Sequence, residues 1–250
     1  MSKKPLTRDE QFLAKAAGDD ISTPKPLTRA QEFLERIVER LNESVMEETF
    51  SNAIAPLNAS IAQLKRETIK FRHGKRTFAA TASGTNITWQ YGGQQVQGGS
   101  CTFDVKSDNG LITLDCDTIE SFTIQNDATN KIDLSDLGGK ITDTLNLSGC
   151  TNITGDLSDL GGKITNFLSL SNCSNITGVY SGAKYPKSFS VSKTAITSAD
   201  MDANLINFAA SGVKSGDFIA TGMKRTAASD DAVATLVANG WTVSGLTKEG

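Results

Sequence analysis

The chain has 250 residues, 38% hydrophobic and 6% aromatic, with a formal net charge of −3 and a pI near 5.3. That length holds one domain plus an extension, and so mild a charge gives no reason to expect nucleic acid or an anionic membrane as partner. The opening MSKKPLTRDEQ lacks the apolar run of a signal peptide and no stretch approaches ~20 apolar residues, so a soluble product made in a cytosol is expected.

A short element is doubled at the start. Lys4-Pro-Leu-Thr-Arg8 returns as Lys25-Pro-Leu-Thr-Arg29, 25 − 4 = 21 residues later, and Phe12-Leu13 returns as Phe33-Leu34. Thr7 with Glu10, and Thr28 with Gln31, form capping boxes, so each copy is predicted to start a helix. Pro24 and Pro26 keep the intervening DDISTPKP extended. Residues 1–49 therefore read as an attachment segment with too little apolar surface to fold alone. Its docking residues are Pro5, Leu6, Thr7, Arg8, Phe12 and Leu13, repeated as Pro26, Leu27, Thr28, Arg29, Phe33 and Leu34. A disordered tail is the competing reading.

The second of these helices carries Leu34, Ile37, Val38, Leu41 and Val45 on one face. Beyond it Phe50, Ile54, Leu57, Ile61, Leu64, Thr68 and Phe71 follow a 4-3 spacing, which predicts a coiled coil over residues 50–76. Isoleucines on the seam favour a homotrimer over a dimer, and Pro56 demands a kink. Packing of the helices on each other is the alternative. The basic run from Lys65 to Arg76, which holds the single histidine, His73, reads as a solvated helix exit.

Residues 77–116 are predicted to form a β-rich cap, with Asp108-Asn109-Gly110 turning a hairpin. Residues 117–250 are dominated by a repeat: Ile132–Thr154 and Gly155–Thr177 are offset by 155 − 132 = 23 residues and agree at 17 of 23 positions. Such a unit must stack on its neighbours to bury its apolar face. Each copy contains Leu-x-Leu-x-x-Cys-x-x-Ile, the strand and turn of a leucine-rich repeat: Leu145, Leu147, Cys150 and Ile153, then Leu168, Leu170, Cys173 and Ile176. Cys150 and Cys173 are expected to form a buried, reduced ladder, with Asp127 at the equivalent place one period earlier. Extending the pattern places Phe122, Phe189, Phe218 and Trp241 with Val243 as further inward rungs, six in all. DLSDLGG suits a 3₁₀ turn, whereas SADMDANLINFAASG and SDDAVATLVANG suit helices, the first burying Met201, Leu205, Ile206 and Ala209, the second capped by Ser229.

The fold class read from these elements is α+β: N-terminal helices in a coiled coil, then a short leucine-rich-repeat solenoid with a β-rich N-terminal cap. No cofactor, metal or catalytic residue is expected, since one histidine, no CxxC and no phosphate loop leave an enzyme without its parts. The Asp133/Asp136 and Asp156/Asp159 pairs read as turn caps in preference to calcium ligands.

The doubled KPLTRxxxFL element with its DDISTP spacer resembles the N-terminal tandem motifs of tailed-bacteriophage fibre and head-decoration proteins. The C-terminal ATGMKRTAASDDAVATLVANGWTVSG resembles the closing repeat of leucine-rich domains in phage virion proteins. The resemblance implies a virion structural protein, not an enzyme. Its partners would be phage capsid or tail proteins, further copies of itself, and a host-surface protein or glycan. A tail or baseplate fibre and a cytosolic adaptor are the alternatives.

Overall fold

The structure is a computed structural model and describes residues 32–34, 36–37 and 66–249. Two units divide the chain, Met1–Arg66 and Glu67–Gly250. In the first, residues 32–34 and 36–37 are helical, with Phe33, Leu34 and Ile37 half-buried. The seam positions Phe50, Ile54, Leu57, Ile61 and Leu64 lie outside the described residues.

The second unit begins with β1 (Glu67–His73), which buries Ile69, Phe71 and His73 while exposing Lys70 and Arg72. That alternation is the period of a strand. It continues through β2 (Thr77–Thr85), β3 (Thr88–Tyr91), β4 (Gln94–Gln97), β5 (Ser100–Asp104), β6 (Gly110–Cys116), β7 (Thr118–Thr123) and β8 (Asn130–Lys131). An antiparallel sheet orders them β4-β3-β6-β1-β8, and β7, β2 and β5 open a second sheet against it. Aromatic rings fill the space between: Phe71 and Trp89 each lie 6.1 Å from Phe122, and Phe71 lies 5.5 Å from Phe78.

The second sheet then runs on in parallel through β9 (Ile141–Asn146), β11 (Phe167–Ser169), β13 (Ser188–Ser190), β14 (Gly216–Arg225) and β15 (Trp241–Lys248). Successive pairings set Phe122 beside Leu145, Leu145 beside Leu168, Leu168 beside Phe189, Phe189 beside Phe218 and Phe218 beside Val243. Trp241 instead pairs with Gly216, because α2 (Asp230–Ala238) makes the last connection longer than the 23-residue repeat. Behind the sheet, β10 (Thr154–Asp156) and β12 (Asn175–Thr177) form a small parallel pair.

Short 3₁₀ turns at Leu134–Leu137 and Leu157–Leu160 open the two matched repeats. Asp133 and Asp156 accept the backbone N–H of Ser135 and Ser158 at 3.0 and 2.9 Å, which caps each turn. The later connections carry α1 (Ser198–Ala210) and α2. Helix α1 buries Met201, Leu205 and Phe208 but leaves Ile206 45% exposed, so the predicted inner face is rotated.

These facts overturn the α+β expectation of N-terminal helices in a coiled coil ahead of a capped leucine-rich-repeat solenoid. Among the described residues strand dominates, and only α1 and α2 exceed a few residues of helix. Thr68 and Phe71 cannot serve a heptad seam, because they lie in β1 and pair with Asp115 and Ile112 of β6. The seam that suggested a trimer thereby loses two of its positions. Residues 77–116 are β-rich and adjoin the first rung of the parallel stack. Strand β2 pairs with β7 and β7 with β9, so one sheet crosses from this region into the repeats. Asp108-Asn109-Gly110 turns no hairpin: β5 and β6 belong to different sheets, and the segment is a crossover.

Candidate functional site

Each parallel strand turns one face inward and the next residue outward, so the register that aligns the apolar columns also aligns two outward ones. One runs through Thr144, Phe167, Ser188 and Asp217, the other through Asn146, the buried Ser169, Ser190 and Ile219. Hydroxyls there bond along the stack: Ser148 Oγ lies 2.6 Å from Ser169 Oγ, Ser171 Oγ lies 2.7 Å from Ser190 Oγ, and the Thr221 N–H donates to Ser192 Oγ at 2.8 Å. The result is a hydroxyl- and amide-rich sheet face with Phe167 and Ile219 as half-buried apolar spots. It offers contact surface, and its first column ends in the exposed Asp217 carboxylate beside Ser188.

Inside the stack stand the two ladder cysteines, both fully buried. Cys150 Sγ donates to the Ile124 carbonyl at 3.5 Å and Cys173 Sγ to the Leu147 carbonyl at 3.0 Å. Each thiol therefore closes onto the rung before it, at the same offset of 26 residues. Burial pushes both thiols up, Cys173 to about 12, and all four cysteines are free. A thiol so protonated and enclosed is a poor nucleophile.

Where the ladder should have a cysteine one period earlier stands Asp127, and it meets His73. His73 Nε2 lies 2.8 Å from Asp127 Oδ2, and Nδ1 lies 2.7 Å from the Gly74 carbonyl oxygen. Carbonyl and carboxylate oxygens only accept, so a ring carrying both protons satisfies both contacts. Thr129 Oγ1 donates to Asp127 Oδ1 at 2.7 Å. Burial alone would raise the Asp127 carboxyl, but hydrogen bonds from Thr129 and His73 outweigh it and hold the carboxyl below its ordinary range. The histidine read as part of a solvated helix exit is thus wholly buried, and it pins β1 to the turn that begins the parallel stack. The signal available in the sequence was a break in pattern: a carboxylate in a column of thiols, in a chain with one histidine.

Of the twelve attachment residues, Phe33 and Leu34 fall on described helical residues; Pro5, Leu6, Thr7, Arg8, Phe12, Leu13, Pro26, Leu27, Thr28 and Arg29 lie outside them. The Asp133 and Asp156 carboxylates are engaged in turn capping, and no group of three metal-ligating side chains occurs among the described residues. No protein family, curated protein or solved structure matches the chain.

Proposed function

We propose that this chain is a structural component of a bacteriophage virion, a head fibre or capsid decoration protein. Residues 1–49 would bind capsid or tail proteins of the particle, and the β-body from Glu67 onward would be displayed for surface adhesion. The observation that carries the reading is the division at Arg66/Glu67. On one side lie both copies of the KPLTR motif; on the other lies a body with its own core, from Ile69 to Trp241. An eight-stranded sheet with a continuous apolar column behind it is a stiff support for a contact surface. The resemblance of the doubled motif to phage attachment segments supplies the class of particle.

A tail or baseplate fibre that binds a host-surface protein or glycan has the same plan, and the hydroxyl-rich sheet face favours it as the second reading. Deleting residues 1–45 tests the anchor: the truncated protein is expected to keep its far-ultraviolet circular dichroism and to be lost from purified particles. Co-purification of the truncated chain with particles would overturn the reading. Negative-stain images of particles labelled on this protein then separate head from tail.

A further inference from the structure

Strand β3 turns back into β4 through Gly92-Gly93, whose φ angles of +54° and +82° are those a tight two-residue hairpin needs. A Cβ at either glycine would meet nothing within 4 Å, so the space above this turn is open. Beside it runs the Asp108-Asn109-Gly110 crossover. Arg72 Nη1 donates to the Asn109 carbonyl at 3.1 Å and holds that backbone to β1. Tyr91 stands between the two segments. Its hydroxyl accepts the Lys106 N–H at 2.7 Å, its ring lies 5.9 Å from Phe103, and a Cβ at Gly110 would sit 2.9 Å from its Cε2. Glycine at 110 is what lets the ring lie against the crossover.

Between hairpin and crossover lies an open groove of about 670 Å³. That size is within the range of small-ligand sites. Its lining is unusual in kind: Gln90, Gln94, Gln95 and Asn109 supply primary amides, Ser107 and Thr113 supply hydroxyls, and no charged side chain lines it. Gln94, Gln95 and Ser107 are exposed, and their side chains make no hydrogen bond among the described residues. Two apolar elements share the groove, the Tyr91 ring and Leu111, which is 43% exposed although it belongs to a strand.

We infer that this groove binds a neutral oligosaccharide. A primary amide offers a donor pair and an acceptor side by side, which matches the vicinal hydroxyls of a sugar. The Tyr91 ring and Leu111 give the C–H face of a pyranose an apolar surface to cover. The neighbouring charges of Arg72 and Asp115 are engaged by the Asn109 carbonyl and the Gln90 amide at 3.1 Å each, so a phosphate, sulfate or carboxylate sugar would lose water and gain little counter-charge. The site is shallow, so single-site binding is weak and display in many copies supplies avidity. That use rests on the proposed display on a particle; the chemistry of the groove does not.

The experiment uses the full purified chain and an array of immobilised neutral hexose and N-acetylhexosamine oligosaccharides beside sialylated and sulfated ones. Neutral oligosaccharides are expected to bind and the charged ones to bind less. Gln94→Ala and Gln95→Ala are expected to weaken binding about tenfold each, the loss of one amide's hydrogen bonds. Gln97→Ala on the same strand leaves binding unchanged. Independently of any variant, titrating the best array ligand into ¹⁵N-labelled protein should move the side-chain amide signals of Gln94, Gln95 and Asn109. The inference is overturned if no neutral oligosaccharide binds, if charged ones bind as well or better, or if binding survives in both glutamine variants and leaves those amide signals in place. Particle incorporation plays no part in these measurements, so the groove and the anchor can fail separately.

Discussion

Cys173 is held by a contact that a larger side chain cannot reproduce. Its thiol donates to the Leu147 carbonyl from a fully buried position. Asn at 173 supplies an inward donor of similar reach, and the variant is expected to unfold in urea close to wild type. Leu overfills the turn and removes one of the two donors to that carbonyl, which keeps the Cys150 N–H at 3.1 Å, with an expected cost of about 1–3 kcal/mol in the same urea titration, most of it from overpacking. A thiol reagent should label none of the four buried cysteines rapidly in the native protein and all four after unfolding. Rapid labelling of Cys150 and Cys173 in the native state would contradict the ladder.

The His73–Asp127 pair makes the sharper residue-level prediction. His73→Phe leaves a nearly buried carboxylate with only its Thr129 hydrogen bonds and the more distant Arg76 guanidinium at 3.8 Å, and is expected to cost about 1–3 kcal/mol, read by chemical denaturation. Replacing both, as His73→Phe with Asp127→Leu, should recover much of that loss, because the penalty lies in the orphaned charge. The pH dependence follows from the lowered Asp127 carboxyl. A depressed folded value means that the unfolded chain takes up the proton first. The stabilisation is therefore complete above the ordinary carboxylate value near 4 and disappears as pH falls through the lower folded one. Asp127→Asn should flatten the acid limb of the stability profile. Asp133 and Asp202 are also lowered, so part of that limb will remain.

At the scale of elements, turns stacked at a strand's spacing tolerate no Cβ where backbones touch. A Cβ at Gly162 would fall 2.3 Å from the Gly182 Cα, on a residue with φ +56°. Gly92 has nearly the same φ, +54°, and open space around it. Gly92→Ala is expected to cost only the left-handed backbone penalty of about 1–2 kcal/mol. Gly162→Ala adds displacement of the neighbouring turn, about 1–3 kcal/mol more. Thermal denaturation of the two variants checks the order; equal losses would mean that the turns are not in contact. Helix α1 is tied down differently, through Asp202, which accepts from Thr226 Oγ1 at 2.6 Å and Ser229 Oγ at 2.5 Å. The serine read as the cap of α2 makes no cap bond and serves this carboxylate instead.

These elements also mark what a sequence can reveal. The Leu145–Leu168 register was legible because identical residues at a fixed period must occupy equivalent places in a stack. It failed at Trp241, where a helix replaced the 3₁₀ turn and 243 − 218 = 25 residues separate the paired rungs. The stretch Thr68–His73 continues the heptad through Thr68 and Phe71 and alternates through Ile69, Phe71 and His73, and pairing of β1 with β6 along seven residues decided for the strand. Asp108-Asn109-Gly110 announces a sharp turn, but alternation cannot tell which sheet receives the next strand. The groove is not legible in the sequence for the same reason. Tyr91, Gln94 and Asn109 are ordinary turn-flanking residues until the crossover brings two distant turns together.

For the whole molecule, the 184 residues of Glu67–Gly250 (250 − 67 + 1 = 184) carry a core that begins at Ile69 and ends at Trp241. Every rung column closes within that span, from Phe122 to Val243, and the ring contacts among Phe71, Phe78 and Phe122 lie inside it. A domain of this size buries enough apolar surface to fold by itself. The fragment 67–250 is therefore expected to unfold in one cooperative transition, with a midpoint within a few degrees of the same transition in the full chain. A fragment cut instead at residue 77, the boundary suggested by composition, loses β1 and with it Ile69, Phe71 and His73. It removes the strand between β6 and β8 and leaves Asp127 without its ion-pair partner at 2.8 Å. That fragment should be insoluble or lack the cooperative transition. Equal melting of the two fragments would show that β1 is an ornament on the body and not a needed inner strand of its first sheet.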